Sequence, residues 1–277
     1  VMYQSEEGIL DLRVLSPAMI FHDYYIRDNA NSILSLEADW TPIPRLSIYG
    51  QLAADEFCLP GEPIPGVDNA AHPDGFAYML GGKTAFPLDR GMFYASLEGV
   101  LTDPYLYLRY GEEGYTSDPS ASGHGLNWVV ATRYFANAFG VVYDEDFLGY
   151  RYGGDAIVLN LNAGYREFGA WSIEGNFFYM IHGTHDKWTV WTLLDAGEYP
   201  VGPTTSHDTP NYADSDVSDR NAVSHTLVFG IKGDYVILPR LSVYGETDFV
   251  HVINPENDSA NAPISDFQVS VGVSYSL

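Results

Sequence analysis

The last eleven residues of the chain, 267–277, alternate between two kinds of side chain without interruption. The apolar set consists of Phe267, Val269, Val271, Val273, Tyr275 and Leu277. The other set is small or polar and consists of Gln268, Ser270, Gly272, Ser274 and Ser276. Because successive residues of a β-strand point to opposite faces, this pattern predicts a strand with one apolar and one polar face. A terminal strand of this kind is typical of outer-membrane barrels.

The same alternation recurs along the chain, in segments long enough for a tilted strand to cross a hydrocarbon layer. It is clearest in 32–40, 46–55, 157–166, 171–179 and 241–249. The polar set of these segments is rich in Glu, Asp, Asn and Gln. We therefore expect the apolar face to contact lipid and the polar face to line water.

Short and long connections also alternate. Tight turns rich in Pro and Gly are predicted at 41–45, 87–91, 167–170 and 238–240. Long acidic segments lie at 57–75, 111–126, 184–221 and 254–264. Short periplasmic turns and long extracellular loops alternate in this way in outer-membrane barrels.

The fold class predicted from these patterns is all-β, an antiparallel transmembrane β-barrel of about twelve strands, whole or as part of a larger barrel of up to about 18. The predicted strands are 9–21, 33–41, 46–56, 76–87, 91–108, 127–136, 140–147, 155–167, 171–183, 222–237, 241–253 and 265–277. One domain spans 1–277, with a long extracellular insertion at about 184–221 and a periplasmic C-terminus.

Composition narrows the class of protein further. No run of about 18 apolar residues is present, which argues against a transmembrane helix. The supply of 21 Tyr, 14 Phe and 5 Trp suits aromatic girdles at two lipid–water interfaces, although a soluble β-sandwich has a similar composition. A net charge of −24 argues against nucleic-acid partners. The single cysteine, Cys58, excludes an intrachain disulfide, and the start at Val1 without a signal peptide predicts a mature sequence.

Three stretches resemble the Wzi-like capsule-assembly proteins of bacterial outer membranes. They are 15–22 (LSPAMIFH), 34–57 (LSLEADWTPIPRLSIYGQLAADEF) and 147–165 (FLGYRYGGDAIVLNLNAGY). The resemblance implies a large outer-membrane β-barrel whose extracellular segments act as a lectin that retains capsular or other surface polysaccharide. Members are longer than this chain, so it would match their C-terminal two-thirds or be a reduced member.

The longest predicted loop contains aromatic residues among carboxylates, which suits sugar binding because rings stack on sugar faces and acids accept hydroxyl hydrogen bonds. The candidate glycan-binding residues are Trp188, Trp191, Tyr199, Tyr212, Asp186 and Asp214. Residues 187–196 (KWTVWTLLDA) are compatible with a short helix over the barrel mouth. The alternative interpretation is a plug or lid whose tryptophans pack against the barrel wall.

Seven acids fall on the predicted inner face of the barrel. They are Glu37, Asp39, Asp55, Glu98, Glu174, Glu246 and Asp248. They predict a passage that favours cations, as in a passive porin. The alternative is that Arg133, Arg166 and Lys232 pair with some of them in a network that fills the lumen, since buried charges are costly unless they are paired or hydrated.

Other motifs in the sequence give only weak evidence for a metal site or a catalytic site. His182, His185 and Asp186, with His207 and Asp208 further on, resemble metal ligands in type, but histidines at wet strand ends are more common. The acidic runs at 214–219 and 144–146 lack the pattern of a calcium loop. Ser206, His207 and Asp208 are adjacent rather than convergent, so they do not form a catalytic triad. We therefore predict no metal, no cofactor and no enzymatic activity.

The leading hypothesis is an integral outer-membrane barrel that anchors surface polysaccharide through its extracellular loops. The alternative is a cation-preferring porin, and a third hypothesis is a structural tether for a surface layer. The expected partners are surface polysaccharide, outer-membrane lipid and a surface-layer or envelope protein.

Overall fold

The computed structural model describes part of the chain. It gives residues 33–55, 75–107, 149–186, 202–206 and 220–275 with their side chains. It also gives backbone strands at 2–3, 30–31, 129–137, 140–147, 191–192 and 213–214. The predicted strand 9–21 and the loops at 57–74 and 111–126 lie outside the described residues.

Fifteen strands and one short 3-10 helix make up the described secondary structure. The strands are β1 (Met2–Tyr3), β2 (Ala30–Asn31), β3 (Leu34–Ile43), β4 (Leu46–Ala54), β5 (Phe76–Pro87), β6 (Gly91–Thr102), β7 (Val129–Asn137), β8 (Gly140–Phe147), β9 (Ala156–Glu167), β10 (Trp171–His182), β11 (Trp191–Thr192), β12 (Ala213–Asp214), β13 (Ser224–Leu238), β14 (Leu241–Ile253) and β15 (Ile264–Tyr275). The 3-10 helix is Pro255–Asn257.

Nine of these strands form one antiparallel sheet in the order β15-β14-β13-β10-β9-β6-β5-β4-β3. The short turns at 44–45, 88–90, 168–170 and 239–240 all lie at one end of this sheet, which we call the turn end. The long connections leave from the opposite end, the loop end. The all-β antiparallel architecture and the four tight turns that the sequence predicts are thus confirmed.

Side-chain pairing across the strands fixes the register. Phe177, Phe229, Phe249 and Phe267 lie opposite one another on β10, β13, β14 and β15. The rings of the first two are 5.0 Å apart between centroids. Aromatic cross-strand pairs of this kind stabilise a sheet, and a slip of one residue would move every such ring to the other face. The alternating sequence therefore specifies a single register.

Strands β7 and β8 differ from their predicted place in the wall. They pair with each other, while β6 pairs directly with β9 along its whole length, from Gly91 opposite Glu167 to Thr102 opposite Ala156. The physical reason lies in the sequence of β8, where Asp144, Glu145 and Asp146 follow one another. The apolar alternation that marks the strands of the nine-stranded sheet is therefore interrupted in the sequence of β8.

The short helix that the sequence suggests for 187–196 does not form at Trp191 and Thr192. These two residues form strand β11, which pairs with β12. Among the residues that the structure describes, no helix has the length and hydropathy needed to cross a bilayer.

Candidate functional site: the two faces of the sheet

One side of the nine-stranded sheet, the apolar face, carries large hydrophobic side chains that remain exposed. Leu36 is 69% exposed, Leu80 67% and Val271 76%. These residues belong to β3, β5 and β15, so the exposed apolar surface extends from one edge of the sheet to the other. Water-soluble monomers rarely expose contiguous apolar surface on this scale.

Aromatic residues form two bands on the apolar face. The band near the turn end consists of Trp40, Phe86, Phe93, Tyr165, Trp171, Tyr235 and Tyr275. Tyr165 and Trp171 are in contact, with ring centroids 5.1 Å apart, and the indole N–H of Trp171 donates to Glu167 at 3.1 Å. A second band nearer the loop end includes Tyr78, Tyr179 and Phe267.

The opposite side of the sheet, the polar face, carries six of the seven predicted lumen acids. The strand registers place together on this face Glu37, Asp39, Glu98, Glu174, Glu246 and Asp248. Lys83, Arg166 and Lys232 are the basic residues on the described strands of this face. Carboxylates thus outnumber cations there, as the sequence predicts.

Two rows on the polar face repeat the same three residue types on successive strands. Tyr49 lies opposite Gly81, which lies opposite Glu98. The tyrosine ring covers the glycine, where an added Cβ would be 2.3 Å from its Cζ. The Tyr49 hydroxyl then donates to Glu98 Oε2 at 2.8 Å. Glycine is needed in the middle strand because any side chain would displace the ring.

The second row has the same form. Tyr94 lies opposite Gly164, which lies opposite Glu174, and the Tyr94 hydroxyl donates to Glu174 Oε2 at 2.7 Å. Lys232 Nζ is 2.7 Å from the other carboxylate oxygen of Glu174. Glu174 is therefore paired, as the network alternative predicts.

Polar amides continue this hydrogen-bonded surface. Asn176 donates to Asn160 at 2.9 Å and to Asn162 at 2.7 Å, all three on the polar face. Near the sheet edge, Gln51 donates to Glu37 at 3.0 Å and Ser47 donates to Asp39 at 3.0 Å. These contacts hold side chains in place without neutralising the carboxylates of Glu37 and Asp39.

At the loop end the polar face is covered by apolar side chains, a feature that the sequence analysis missed. Val100, Ala156 and Val158 form a buried cluster with Met79, Tyr150, Tyr152, Phe178 and Met180 around it. Leu106 and Tyr107 form a second cluster beside it. Segments 103–107 and 149–155 therefore pack over the loop end of the polar face. We call these two segments the cover.

Asp155 anchors this cover from a fully buried position. Its carboxylate accepts hydrogen bonds from the backbone amides of His185 at 3.0 Å and Thr205 at 2.7 Å, and from the Thr205 hydroxyl at 2.9 Å. His185 Nδ1 lies 3.3 Å from the same carboxylate. Burial alone would raise the pKa of Asp155, but the imidazole and these donors lower its pKa below the usual value.

Two other aspartates bind backbone amides at the loop end. Asp55 accepts from the Tyr107 amide at 2.8 Å, and Asp103 accepts from the Phe76 amide at 2.9 Å. Asp55, predicted as a lumen acid, is thus buried in the cover.

Gly149 has a φ of +101°, and a Cβ there would be 2.8 Å from the Tyr107 hydroxyl. Burial raises the pKa of this tyrosine.

The described residues contain part of the predicted glycan site. Asp186 forms an ion pair of 2.8 Å with Arg220, which also donates to the Thr184 carbonyl at 2.6 Å. Trp191 on β11 is the register partner of Asp214 on β12. Trp188, Tyr199 and Tyr212 lie outside the described residues.

The histidines that the sequence suggests as metal ligands contact backbone carbonyls and an aromatic ring in the structure. The ring nitrogens of His182 lie 2.8 Å from the Gly183 carbonyl and 3.2 Å from the Tyr152 carbonyl, while His185 packs edge-on against Tyr105. Over the described residues, no group of three potential metal ligands is found. His207 and Asp208 lie outside them. The absence of a metal and of enzymatic activity stays a prediction.

Fold and site together define an all-β protein with a nine-stranded antiparallel sheet, one face of which is apolar and the other acidic. No protein-family model and no curated protein sequence matches the chain. Among solved structures, it is similar to the outer-membrane expressed OmpT of Vibrio cholerae, with a TM-score of 0.33 and 8% identity. The similarity covers 88% of this chain and 56% of that one, so the chain spans little more than half of its length.

Proposed function

We propose that this chain forms the wall of a bacterial outer-membrane β-barrel, with its apolar face against lipid and its polar face around an aqueous interior. The observation that supports this most strongly is the exposed apolar face with its two aromatic bands. Tyr and Trp rings favour the lipid–water interface because they combine an apolar body with a polar edge. In this proposal the turn end and the C-terminus are periplasmic.

The spacing of the two bands agrees with the thickness of a membrane. Three strands carry aromatic pairs whose members are eight residues apart: Tyr78 and Phe86, Trp171 and Tyr179, Phe267 and Tyr275. Eight residues span about 27 Å along a strand. With a strand tilt of about 40°, this corresponds to about 20 Å along the membrane normal, close to the apolar band of about 25 Å of such barrels.

We infer further that the interior favours cations over anions. On the described strands, eight carboxylates lie on the polar face, namely the six predicted lumen acids together with Asp234 and Asp266. Three basic side chains accompany them, one of which, Lys232, is already paired with Glu174. An acid-lined cleft with low-dielectric walls concentrates counter-ions of the opposite sign, and rings of Asp and Glu select cations in channels.

The test is ion conductance of the purified protein in a planar bilayer under a KCl gradient. We expect steady channels whose reversal potential indicates cation preference. Glu98→Gln combined with Glu246→Gln keeps side-chain size and the acceptor for Tyr49, and should reduce that preference. Asp89→Asn, in an exposed turn, is the matched control and should leave it unchanged. A silent bilayer or an anion-selective current would contradict the proposal.

A second candidate function is the attachment of surface polysaccharide. It is supported by the pairing of β11 with β12, which brings Trp191 opposite Asp214, and by the resemblance to Wzi-like proteins. Polysaccharide pull-down should then weaken for Trp188→Ala combined with Trp191→Ala. Trp171→Ala, at the opposite end of the sheet, serves as the control. Equal capture by the wild type, the double variant and the control, or capture by none of them, would count against a glycan site in this loop.

A further inference from the structure

Two tyrosines of the cover and one phenylalanine of the sheet are in contact at the loop end of the polar face. The ring of Tyr152 contacts that of Phe178 on β10, with centroids 5.4 Å apart, and that of Tyr150, with centroids 5.6 Å apart. All three side chains are half-buried, so part of each remains accessible. We call Tyr150, Tyr152 and Phe178 the aromatic cluster.

A tight turn in the cover holds the two tyrosines of this cluster in place. The Gly153 amide donates to the Tyr150 carbonyl at 3.0 Å, and Gly153 has a φ of +75°, which favours glycine. The Tyr150 amide donates to the Tyr107 hydroxyl at 3.0 Å. Because these hydrogen bonds already order the backbone, a ligand that binds the rings loses little affinity to ordering them.

One ring of the aromatic cluster is already in contact with a cation. The Arg151 guanidinium lies over the Tyr152 ring, 5.2 Å from its centroid, and the arginine side chain is exposed. The face of an aromatic ring attracts a cation because the quadrupole of the ring makes that face negative. The contact therefore shows that Tyr152 presents a ring face to a positively charged group.

A carboxylate lies beside the aromatic cluster. Glu98 of β6, Asn160 of β9 and Phe178 of β10 are register partners in one row across the polar face. Burial is the main reason that the pKa of Tyr150 is raised, and the neighbouring Tyr152 and Glu98 raise this pKa further. The negative charge of Glu98 thus acts on the same space as the rings.

We propose that the aromatic cluster and Glu98 together form a binding subsite for organic cations of the alkylammonium or guanidinium class. The inference rests on the proposed cation-favouring interior and names the class of cation that this interior binds. Cages of aromatic rings recognise quaternary ammonium groups through charge and apolar contact together. In this subsite Arg151 is a tethered occupant of the Tyr152 ring, and a free organic cation competes with it.

The direct test is equilibrium binding of choline chloride to the folded full-length chain, measured by saturation-transfer NMR at constant ionic strength. A polyoxyethylene detergent keeps the protein in solution and contains neither sugar nor choline that would compete. The comparison ligand is dimethylbutanol, which has the shape of choline without its charge, and methyl glucoside is the third ligand. We expect the wild type to bind choline more tightly than either of the two neutral ligands.

Substitutions of the aromatic cluster test whether choline binds there. Tyr152→Leu and Phe178→Leu should each weaken choline binding about three- to tenfold. Phe177→Leu is the matched control, because this ring packs against Phe229 on the apolar face. Arg151→Gln should strengthen choline binding about two- to fivefold, since it removes the competing cation. A mere loosening of the cover would not produce such a gain.

The contribution of the carboxylate is measured in the same titration. Glu98→Gln should weaken choline binding about two- to fivefold and leave dimethylbutanol binding unchanged. Asp234→Asn is the control, because it removes an acid from the same face at a distance from the rings. Asp234 is six residues beyond Val228, the register partner of Phe178, which is about 20 Å along the strand. At about 0.1 M salt, charges are largely screened over about 10 Å.

Three results would overturn the proposal. Equal affinity of the wild type for choline and dimethylbutanol would show apolar binding without recognition of charge. Tighter binding of methyl glucoside than of choline would show a sugar site. Unchanged choline binding in Tyr152→Leu and Phe178→Leu would place the binding elsewhere.

The failure of this subsite is distinguishable from the failure of the proposed channel, because binding is measured without an ionic current. A silent bilayer with intact choline binding would reject the channel and leave the subsite standing. A cation-selective current from a protein that does not bind choline would reject the subsite alone.

Discussion

At the level of single residues, glycines on the polar face leave room for tyrosine rings that cross the sheet. In two complete rows a tyrosine crosses the neighbouring strand to reach a glutamate on the strand beyond, and only a residue without a Cβ leaves room for the ring. Each such row connects three strands through one side chain. The rows therefore stabilise the sheet beyond its backbone ladder and keep the carboxylates on one face.

Gly164→Ala should destabilise the protein by about 1–3 kcal/mol, the usual cost of overpacking. The new methyl group would be 2.6 Å from the Tyr94 hydroxyl and 2.8 Å from the Ile173 carbonyl, which is backbone and cannot move aside. Gly99→Ala is the control, since its methyl group would be 4.0 Å from the nearest atom. Urea unfolding of the reconstituted protein measures both, and equal effects would contradict this role of the glycine.

Asp155→Asn should loosen the cover at the loop end. The variant loses charged acceptors for three donors in a buried site, which costs about 1–3 kcal/mol. Hydrogen exchange at the His185 and Thr205 amides should accelerate, while exchange in the middle of β9 should change little. Asp89→Asn in the exposed turn is the control. Unchanged protection of both amides would contradict the assignment.

The same carboxylate gives the wild-type cover a dependence on pH. Because the folded-state pKa of Asp155 is lowered from 3.8, its contribution is fully present above that value and is lost as pH falls through the folded-state pKa. The difference in protection between wild type and Asp155→Asn should therefore shrink as pH falls below about 4. A difference that persists undiminished at pH 2 would contradict this linkage.

At the level of elements, the sequence predicts most strands because alternation is a local property. The predicted strands 76–87, 140–147 and 241–253 agree with β5, β8 and β14 at both ends. Alternation also predicts which side chains share a face, and so places six acids together. It does not contain pairing information, which is why the direct contact between β6 and β9 could not be predicted.

The same positive charge should have very different effects on stability at two adjacent residues of β6. Leu97→Arg places a cation on the apolar face and should destabilise the protein in lipid by about 2–4 kcal/mol if this position is near the membrane midplane. Ser96→Arg places it on the acidic face and should cost little. Urea unfolding from phospholipid vesicles measures both. Equal destabilisation, or a larger loss at Ser96, would contradict the assignment of the two faces.

At the level of the whole molecule, long-range contacts determine what the sequence could not show. Asp155 follows two glycines and reads locally as a loop residue, yet it is buried because His185 and Thr205 come to it from distant segments. The alternation of β4 predicts that Asp55 lies in the lumen, but the Tyr107 amide binds it within the cover. Contacts of this kind depend on how loops fold over the sheet.

The most direct test of the central claim is a solvent-accessibility scan along β6 in lipid vesicles. Spin labels at single cysteines from Ala95 to Gly99, in the Cys58→Ser background, are exposed to oxygen, which partitions into lipid, or to a water-soluble nickel chelate. We predict a period of two, with labels at Ala95, Leu97 and Gly99 reached by oxygen and those at Ser96 and Glu98 reached by nickel. The absence of alternation, or its inverse, would contradict the account.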